Sequence, residues 1–294
     1  MKLRIAASVG IGVMLIGILA WPLVEPSEPL GVVRAGNLDL GGAVALVGLA
    51  FLTGLVGYFV SWPYGREIGV LAAPSGLAIW AVRSGDMAAL MQLNPTVAQR
   101  QVVFAGLKWE PLFWLIVVAA GFVGVLLPSK IFSRPVQLGA KKAISDSKTS
   151  KYLNIAIALV GSVLIAHFCI GIFARDVRIF DSKLGSVVAQ PAVGQIVFAV
   201  LVSFGLVAFI VKSYLKVGYI WPIIAVAFVT AYAISTYVKP SVLQHLAQSL
   251  PAVFFPNASV SILPVQMVAF GTLGSITGYW LAVRYAYWRE HEMD

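Results

Sequence analysis

The chain consists mainly of long runs without Asp, Glu, Lys or Arg, and this pattern constrains its fold more than any other feature. A helix needs roughly 20 apolar residues to cross the hydrocarbon core of a bilayer. Most runs suit one crossing each, and the longest, 240–283, carries polar residues and prolines in its first part. We therefore predict an all-α fold, a polytopic membrane helical bundle in which residues 1–294 form one membrane domain. About eight crossings are expected, near 5–24, 41–61, 68–82, 111–128, 152–173, 191–211, 217–238 and 262–283.

The composition agrees with a membrane protein and argues against a soluble one. Hydrophobic residues make up 60% of the chain and charged residues 11%, whereas soluble domains carry about 25% charged residues. The net charge of +9 is spread over short loops and is not clustered on one face, as a nucleic-acid site would require. The expected partners are therefore the lipid bilayer and other membrane protein subunits, and no nucleic acid.

The positions of the lysines and arginines predict the orientation. With eight crossings, thirteen of these residues fall on one side of the membrane and eight on the other. If 68–82 does not cross, the better split is eleven against ten, so the charge bias favours eight crossings. Because lysine and arginine are enriched in cytoplasmic loops, both termini and the loop 129–151 are expected in the cytoplasm. The expected location is the inner (cytoplasmic) membrane of a bacterium.

Two outer segments are expected to form short helices in the membrane interface. After Pro240, the residues Leu243, Leu246 and Leu250 fall at helical spacing, with polar residues on the opposite face, which is typical of an interfacial amphipathic helix. The second segment is 95–107, for which Asn94 is the expected N-cap and Pro95 the first helical residue.

The run 68–82 contains the most irregular sequence of any predicted crossing. Pro74 removes one helix hydrogen bond and Gly76 weakens the helix further, and Ser75 lies between them. Broken helices form substrate sites in many transporters. A plain proline kink has the same sequence, so Pro74, Ser75 and Gly76 are a candidate site with that alternative left open.

His167 is the second candidate site. Apart from Cys169 and the tyrosines, it is the ionisable side chain that lies at depth in a predicted crossing. A buried histidine can carry the proton of a proton-coupled carrier. The alternative is a neutral histidine that is hydrogen-bonded to a neighbouring helix.

Small residues mark candidate helix-packing faces. Gly274 and Gly278 form a G-x-x-x-G pattern in the last crossing, and Ala120 and Gly124 form a looser version in the fourth. Such residues allow two helix backbones to approach closely. They fit packing inside one bundle as well as pairing with a partner protein.

The loop 129–151 is a candidate contact for anionic lipid head groups. Four of its basic residues lie close together, which favours contact with acidic lipids. The alternative is that they serve only to orient the protein. These residues are Lys141, Lys142, Lys148 and Lys151.

Motifs for catalysis, cofactors and metals are missing from the sequence. It contains no H-E-x-x-H, no G-x-S-x-G and no P-loop, so no catalytic residue, cofactor or metal ligand is predicted. The favoured function is a non-enzymatic subunit or scaffold of a membrane assembly. The first alternative is a permease or channel component that moves a small solute, and an intramembrane enzyme is the least favoured.

One faint internal echo links the tripeptides Gly-Tyr-Phe at 57–59 and Gly-Tyr-Trp at 278–280. The two do not fall at equivalent places in two four-helix halves. The sequence therefore favours the crowding of aromatic residues at the membrane interface over an internal duplication.

Overall fold

Helices account for most of the chain, as its long apolar runs predict. The computed structural model describes residues 1–28, 31–132 and 148–291. The first part of the chain forms the helices α1 (Lys2–Gly12), α2 (Trp21–Val24), α3 (Leu40–Val60), α4 (Gly65–Ile68), α5 (Ala72–Arg83), α6 (Met87–Leu93), α7 (Val97–Leu107) and α8 (Glu110–Phe132). A π-helical segment, Val13–Leu19, continues α1, and two 3₁₀ turns lie at Ala35–Asn37 and Gly69–Leu71.

The second part of the chain mixes long helices with a small sheet. Its elements are α9 (Lys148–Phe173), β1 (Arg178–Asp181), β2 (Gly185–Ala189), α10 (Val193–Ile210), α11 (Ile220–Tyr237), α12 (Pro240–Ser249), β3 (Phe254–Phe255) and α13 (Pro264–His291). A π-helical segment, Val211–Leu215, continues α10. The strands pair antiparallel in the order β1–β2–β3, so the described part of the chain is helical with one sheet that the sequence did not predict.

Six helices of the described residues are long and apolar enough to cross a membrane, which confirms the prediction of a helical membrane protein. A seventh span results if the bent pair Gly65–Arg83 and Met87–Leu93, with an angle of 53° between them, counts as one. The six are Lys2–Leu19, Leu40–Val60, Val97–Ile131, Tyr152–Phe173, Val193–Leu215 and Ile220–Tyr237.

The long helix α13 is less apolar than the other long helices because it lies inside the bundle. It has 28 residues, and it packs against α5, α8, α10 and α11. Its polar side chains Gln266, Thr272 and Ser275 are fully buried. A helix that other helices surround does not need the all-round apolar surface that lipid requires.

The expected break at Pro74–Gly76 is displaced. The irregular backbone is the 3₁₀ turn Gly69–Leu71, and α5 continues without interruption from Ala72 to Arg83. Pro74 therefore falls in the first turn of α5, where a missing N–H costs little because the first amides of a helix lack intrahelical acceptors.

Four connecting segments meet at one end of the bundle and form a structured layer, which we call the cap (residues 31–39, 84–109, 174–192 and 238–263). Val33 N donates to Ser84 Oγ over 2.9 Å, and Gln190 N donates to the Val253 carbonyl over 2.8 Å. The cap also buries apolar side chains, and these are continuous with the core of the bundle below it. They include Met87, Met91, Phe104, Leu107, Leu243, Leu246 and Phe255.

Both segments for which short helices were expected are helical, and both belong to the cap. Helix α12 matches the predicted segment and buries Leu243 and Leu246. Helix α7 starts later than predicted: its N-cap is Thr96, which forms a capping box with Gln99. This reciprocal pair satisfies two free backbone amides, which gives Thr96 the advantage over Asn94.

Candidate functional site

The cap contains an open cleft of about 680 Å³ between two stretches of chain that are far apart in sequence. One wall is the turn and first helix after α5, and the other is the end of β2 and the start of α10. The lining includes Ser84, Asp86, Gln92, Asp176, Gln190 and Val253. Since a recognition site is a concavity with a few placed polar groups, the cleft is the candidate functional site.

Gln190 holds the two walls of the cleft together. Its Oε1 accepts a hydrogen bond from Ala88 N over 3.2 Å, and its Nε2 donates to the carbonyls of Pro191 and Ser261 over 3.3 and 3.1 Å. All polar atoms of this side chain thus bind backbone groups. We infer that Gln190 sets the width of the cleft and is not itself free to bind a ligand.

The cleft carries two carboxylates and no cationic side chain among its described lining residues. Asp86 caps α6, because its Oδ1 accepts from Ala89 N over 2.7 Å. Asp176 lies on the opposite wall and is exposed. The described residues contain no group of three or more His, Cys, Asp or Glu side chains arranged to hold a metal ion. The two carboxylates therefore make the cleft complementary in charge to a cationic group.

A second polar constellation joins the hairpin to α12. His245 Nε2 lies 2.9 Å from Asp181 Oδ2, and His245 Nδ1 lies 3.3 Å from Ser249 Oγ. The pKa of Asp181 is lowered, first by the hydrogen bond from Leu184 N–H and then by the one from His245. Sequence reasoning missed this contact because Asp181 and His245 are 64 positions apart.

Asp181, His245 and Ser249 are the residue types of a serine hydrolase triad, but their arrangement indicates a structural role. The imidazole is reversed relative to a triad, in which Nε2 faces the serine. His245 and Ser249 are four residues apart on one helix, a spacing that brings side chains together by helix geometry alone. The following amide, Leu250 N, donates to the Leu246 carbonyl and is not available to stabilise an oxyanion. We assign the constellation to fixing β1 on α12.

His167 lies away from the cleft, in the bundle below the cap. Its Nδ1 is 3.1 Å from Ser259 Oγ, and its ring contacts the ring of Tyr232 edge-on with 5.3 Å between centroids. Beside it, α9 and α11 form an apolar groove of about 330 Å³, lined by residues such as Val160 and Phe228. The histidine thus ties α9 to the segment that precedes α13.

The residues Pro74, Ser75 and Gly76 are buried and line neither the cleft nor the apolar groove in the described part of the chain. A Cβ added at Gly76 would lie 2.5 Å from the Gly12 carbonyl oxygen. In return, Gly12 packs directly on the backbone of Ala72. These small residues form the contact of α5 with α1, and the structure does not bring them together with His167.

The glycines predicted to mark helix-packing faces contact other helices of the same chain. Gly274 and Gly278 contact the backbone of α10 at Leu201 and Gly205, and Gly124 contacts the backbone of α3 at Phe51. Ala120, next to this second contact, is half-buried. Both patterns that the sequence singled out therefore pack helices of the same chain against each other.

Of the four lysines proposed to contact lipid, Lys141 and Lys142 lie outside the described residues. Lys148 and Lys151 belong to the first turn of α9, and their side chains are also outside that description. The proposed lipid contact therefore stays a prediction.

One buried acidic residue was missed because it flanks a predicted crossing and does not lie inside it. Glu110 begins α8, is 6% exposed and accepts a hydrogen bond from Ala35 N. Its Oε2 has no partner in the described structure, and the same holds for Trp114 Nε1 one turn later. The signal in the sequence was a carboxylate directly before Pro111, at the start of an apolar run.

The chain matches no protein-family model, no curated protein and no solved structure. Its helices place it among multi-pass membrane proteins. The evidence on its function is therefore the geometry of the bundle and its cap.

Proposed function

We propose that the chain crosses the membrane eight times and acts as a non-enzymatic subunit of a membrane assembly. The hydrogen bond from Val33 to Ser84 keeps both residues at the cap end. Helix α3 leaves that end and runs for about 31 Å at the helical rise. The bent segment Gly65–Arg83 brings the chain back, which supports a third crossing. The eighth is α13, whose 28 residues extend about 42 Å.

In this proposal the cap lies on the outer side of a bacterial inner membrane, and both termini and the loop 129–151 lie in the cytoplasm. The support is the sequence, because eight crossings assign thirteen lysines and arginines to the side of the termini and eight to the side of the cap, and basic residues favour the cytoplasm.

The observation that carries the subunit role is the contrast between the cap and the bundle below it. The cap buries apolar side chains and carries an open cleft, although short turns suffice to join neighbouring helices. The bundle below it is closed by direct contacts between helix backbones, such as Gly278 on Gly205. We infer that the protein works by presenting its cap to the outer domain of another membrane protein.

The test uses a photo-crosslinking amino acid in the membranes of the native host. At Gln92, on the cleft wall, we expect one discrete crosslinked product that contains a second membrane protein. The matched control is Leu164, which is 66% exposed on α9 and faces lipid in the proposed topology. Equal products at both positions, or none at Gln92, would refute the subunit role.

A permease is the second candidate, since the lining of the cleft includes Ser84, directly after α5, and Val193, the first residue of α10. Cysteines at Ser75 and Thr272, both buried within the bundle, distinguish the two. A subunit with a closed interior leaves both cysteines unreactive to a membrane-impermeant thiol reagent. A permease exposes at least one of them, either from the outside or in inverted vesicles.

A further inference from the structure

Four long helical segments and one cap helix occur twice, in the same order and at a nearly constant spacing. The first series is α1, α3, α5, α6 and α8, and the second is α9, α10, α11, α12 and α13. Helix α3 begins at Leu40 and α10 at Val193, 153 positions later. The cap helices α6 and α12 begin at Met87 and Pro240, again 153 apart. The same spacing separates Pro111, the second residue of α8, from Pro264, the first residue of α13.

The amino-acid sequence repeats most clearly in the first helix of each series. Residues 7–20 read ASVGIGVMLIGILA and residues 161–174 read GSVLIAHFCIGIFA, so that seven of the fourteen positions are identical. Burial repeats as well. The pairs Ser8 and Ser162, Ile16 and Ile170, and Ala20 and Ala174 are all buried.

The packing partners also repeat. The two most extensive interfaces between helices are α3 with α8 and α10 with α13, which occupy equivalent places in the two series. In each, a glycine of the fourth long segment lies on the backbone of the second: Gly124 on Phe51, and Gly274 on Leu201. The first and third segments pack together in both, as α1 with α5 and α9 with α11.

The contacts between the two series have the form that a two-fold axis produces. Such an axis exchanges α5 with α11 and α8 with α13, so the contact of α5 with α13 has the contact of α11 with α8 as its counterpart. Both contacts are present, and so is the contact of α8 with α13, which the axis maps onto itself. An isologous interface has this reciprocal pattern.

We propose that residues 1–132 and 148–291 are two copies of one four-helix unit, fused in the same orientation. Helices α5, α8, α11 and α13 then form the interface between the two units, and the two units pack in one chain as two copies pack in a dimer. This proposal goes beyond the subunit role and differs from the sequence-based preference for aromatic crowding over an internal duplication. The tripeptides at 57–59 and 278–280 are not at equivalent positions, because the first lies in α3, the second long helix of its unit, and the other lies in α13, the fourth long helix of its unit.

The cleft in the cap belongs to this interface. One wall, around Asp86 and Gln92, comes from the first unit, and the other, around Asp176 and Gln190, comes from the second. The hydrogen bond from Ala88 N to Gln190 Oε1 therefore joins the units, whereas the bond from Gln190 to the Ser261 carbonyl holds this side chain within the second unit. The cleft exists only when both units are present.

The first test exchanges equivalent segments in the full chain. Residues 13–20 are replaced by the sequence of 167–174, HFCIGIFA, which preserves the buried Ile16 and Ala20. We expect the chimera to insert and to keep its melting temperature within about 4 °C of the parent. The control carries the same eight residues rotated by one position, as AHFCIGIF. This change includes Gly17→Ile and Ala20→Phe at buried positions, and we expect it to abolish the folded state.

The second test measures orientation in the Cys169→Ala background with an impermeant thiol reagent. Single cysteines replace Gly36 and Ala192, which precede the second helix of each unit, and Trp62 and Ser213, which lie near its other end. We expect Gly36→Cys and Ala192→Cys to label from one side, and Trp62→Cys and Ser213→Cys from the other. The proposal is overturned if either pair divides between the two sides, or if the chimera unfolds as readily as its rotated control.

Discussion

The contact between Asp181 and His245 joins two elements of the cap that are distant in sequence, and it predicts how cap stability depends on pH. The folded pKa of Asp181 lies below its ordinary value of 3.8, because Leu184 N–H and His245 stabilise the carboxylate. A lowered folded pKa contributes stability that is present above the unfolded pKa and is lost as pH falls through the folded value. We therefore expect the parent protein to lose stability below about pH 4.

The measurement is the melting temperature in detergent between pH 3 and pH 7. Asp181→Asn should lower the melting temperature near pH 6 and make it less dependent on pH in the acid range. Asp176→Asn, an exposed carboxylate on the cleft wall, is the matched control and should follow the parent curve. His245→Ala should retain part of the dependence, since the Leu184 amide still binds Asp181. Parallel curves for Asp181→Asn and the parent would contradict the assignment.

Two residues, His167 and Glu110, show which contacts could not be predicted from the sequence. His167 was identified because it is an isolated histidine in an apolar run, but its partner Ser259 is 92 positions away, and no local pattern predicts such a pair. Glu110 was overlooked for a related reason. A carboxylate at the edge of a run has the same sequence signature whether it meets water or the Ala35 amide.

At the scale of helices, close packing predicts that replacing a glycine by alanine changes the stability of the protein in opposite ways at Gly278 and Gly161. A Cβ at Gly278 would overlap the Gly205 backbone, whereas a Cβ at Gly161 meets nothing within 4 Å. Because neither backbone can move without disturbing α10 or α13, Gly278→Ala should destabilise the protein by about 1–3 kcal/mol. Gly161→Ala should be neutral or should stabilise it by up to about 1 kcal/mol through helix propensity.

Unfolding in mild detergent with increasing denaturant measures both variants. Gly161→Ala serves as the matched control, because it adds the same methyl group to a helix of the same bundle. Similar losses at the two positions would mean that the contact of α10 with α13 is looser than the structure shows.

The positions of the helices could be predicted more closely than their irregularities. The predicted crossing 41–61 corresponds to α3, Leu40–Val60, and 217–238 corresponds to α11, Ile220–Tyr237. Lipid contact enforces apolar sequence over the whole length of such helices, so composition marks them. The turn Gly69–Leu71 and the hairpin from Arg178 escaped prediction, since both depend on backbone geometry and tertiary contacts more than on hydropathy.

At the scale of the molecule, charge-free runs predicted a helical membrane protein, but they could not predict the cap. The segments of the cap are polar connections in sequence, and only tertiary contacts, such as that of Val33 with Ser84, show that they form one layer. The cleft was unpredictable for the same reason: its two walls come from different halves of the chain.

The orientation of the whole molecule is the last prediction, and it follows from where the basic residues lie relative to the cap. With eight crossings, the sequence assigns thirteen lysines and arginines to the side of the termini and eight to the side of the cap, so the cap is expected on the outer side of the membrane. In the Cys169→Ala background, Ser182→Cys in the hairpin turn and Ser241→Cys in α12 should react with an impermeant reagent in intact cells. Ser213→Cys, exposed at the opposite end, should react only after permeabilisation. The reverse pattern would place the cap in the cytoplasm, where its cleft would meet cytoplasmic partners and the charge bias would have misled the assignment.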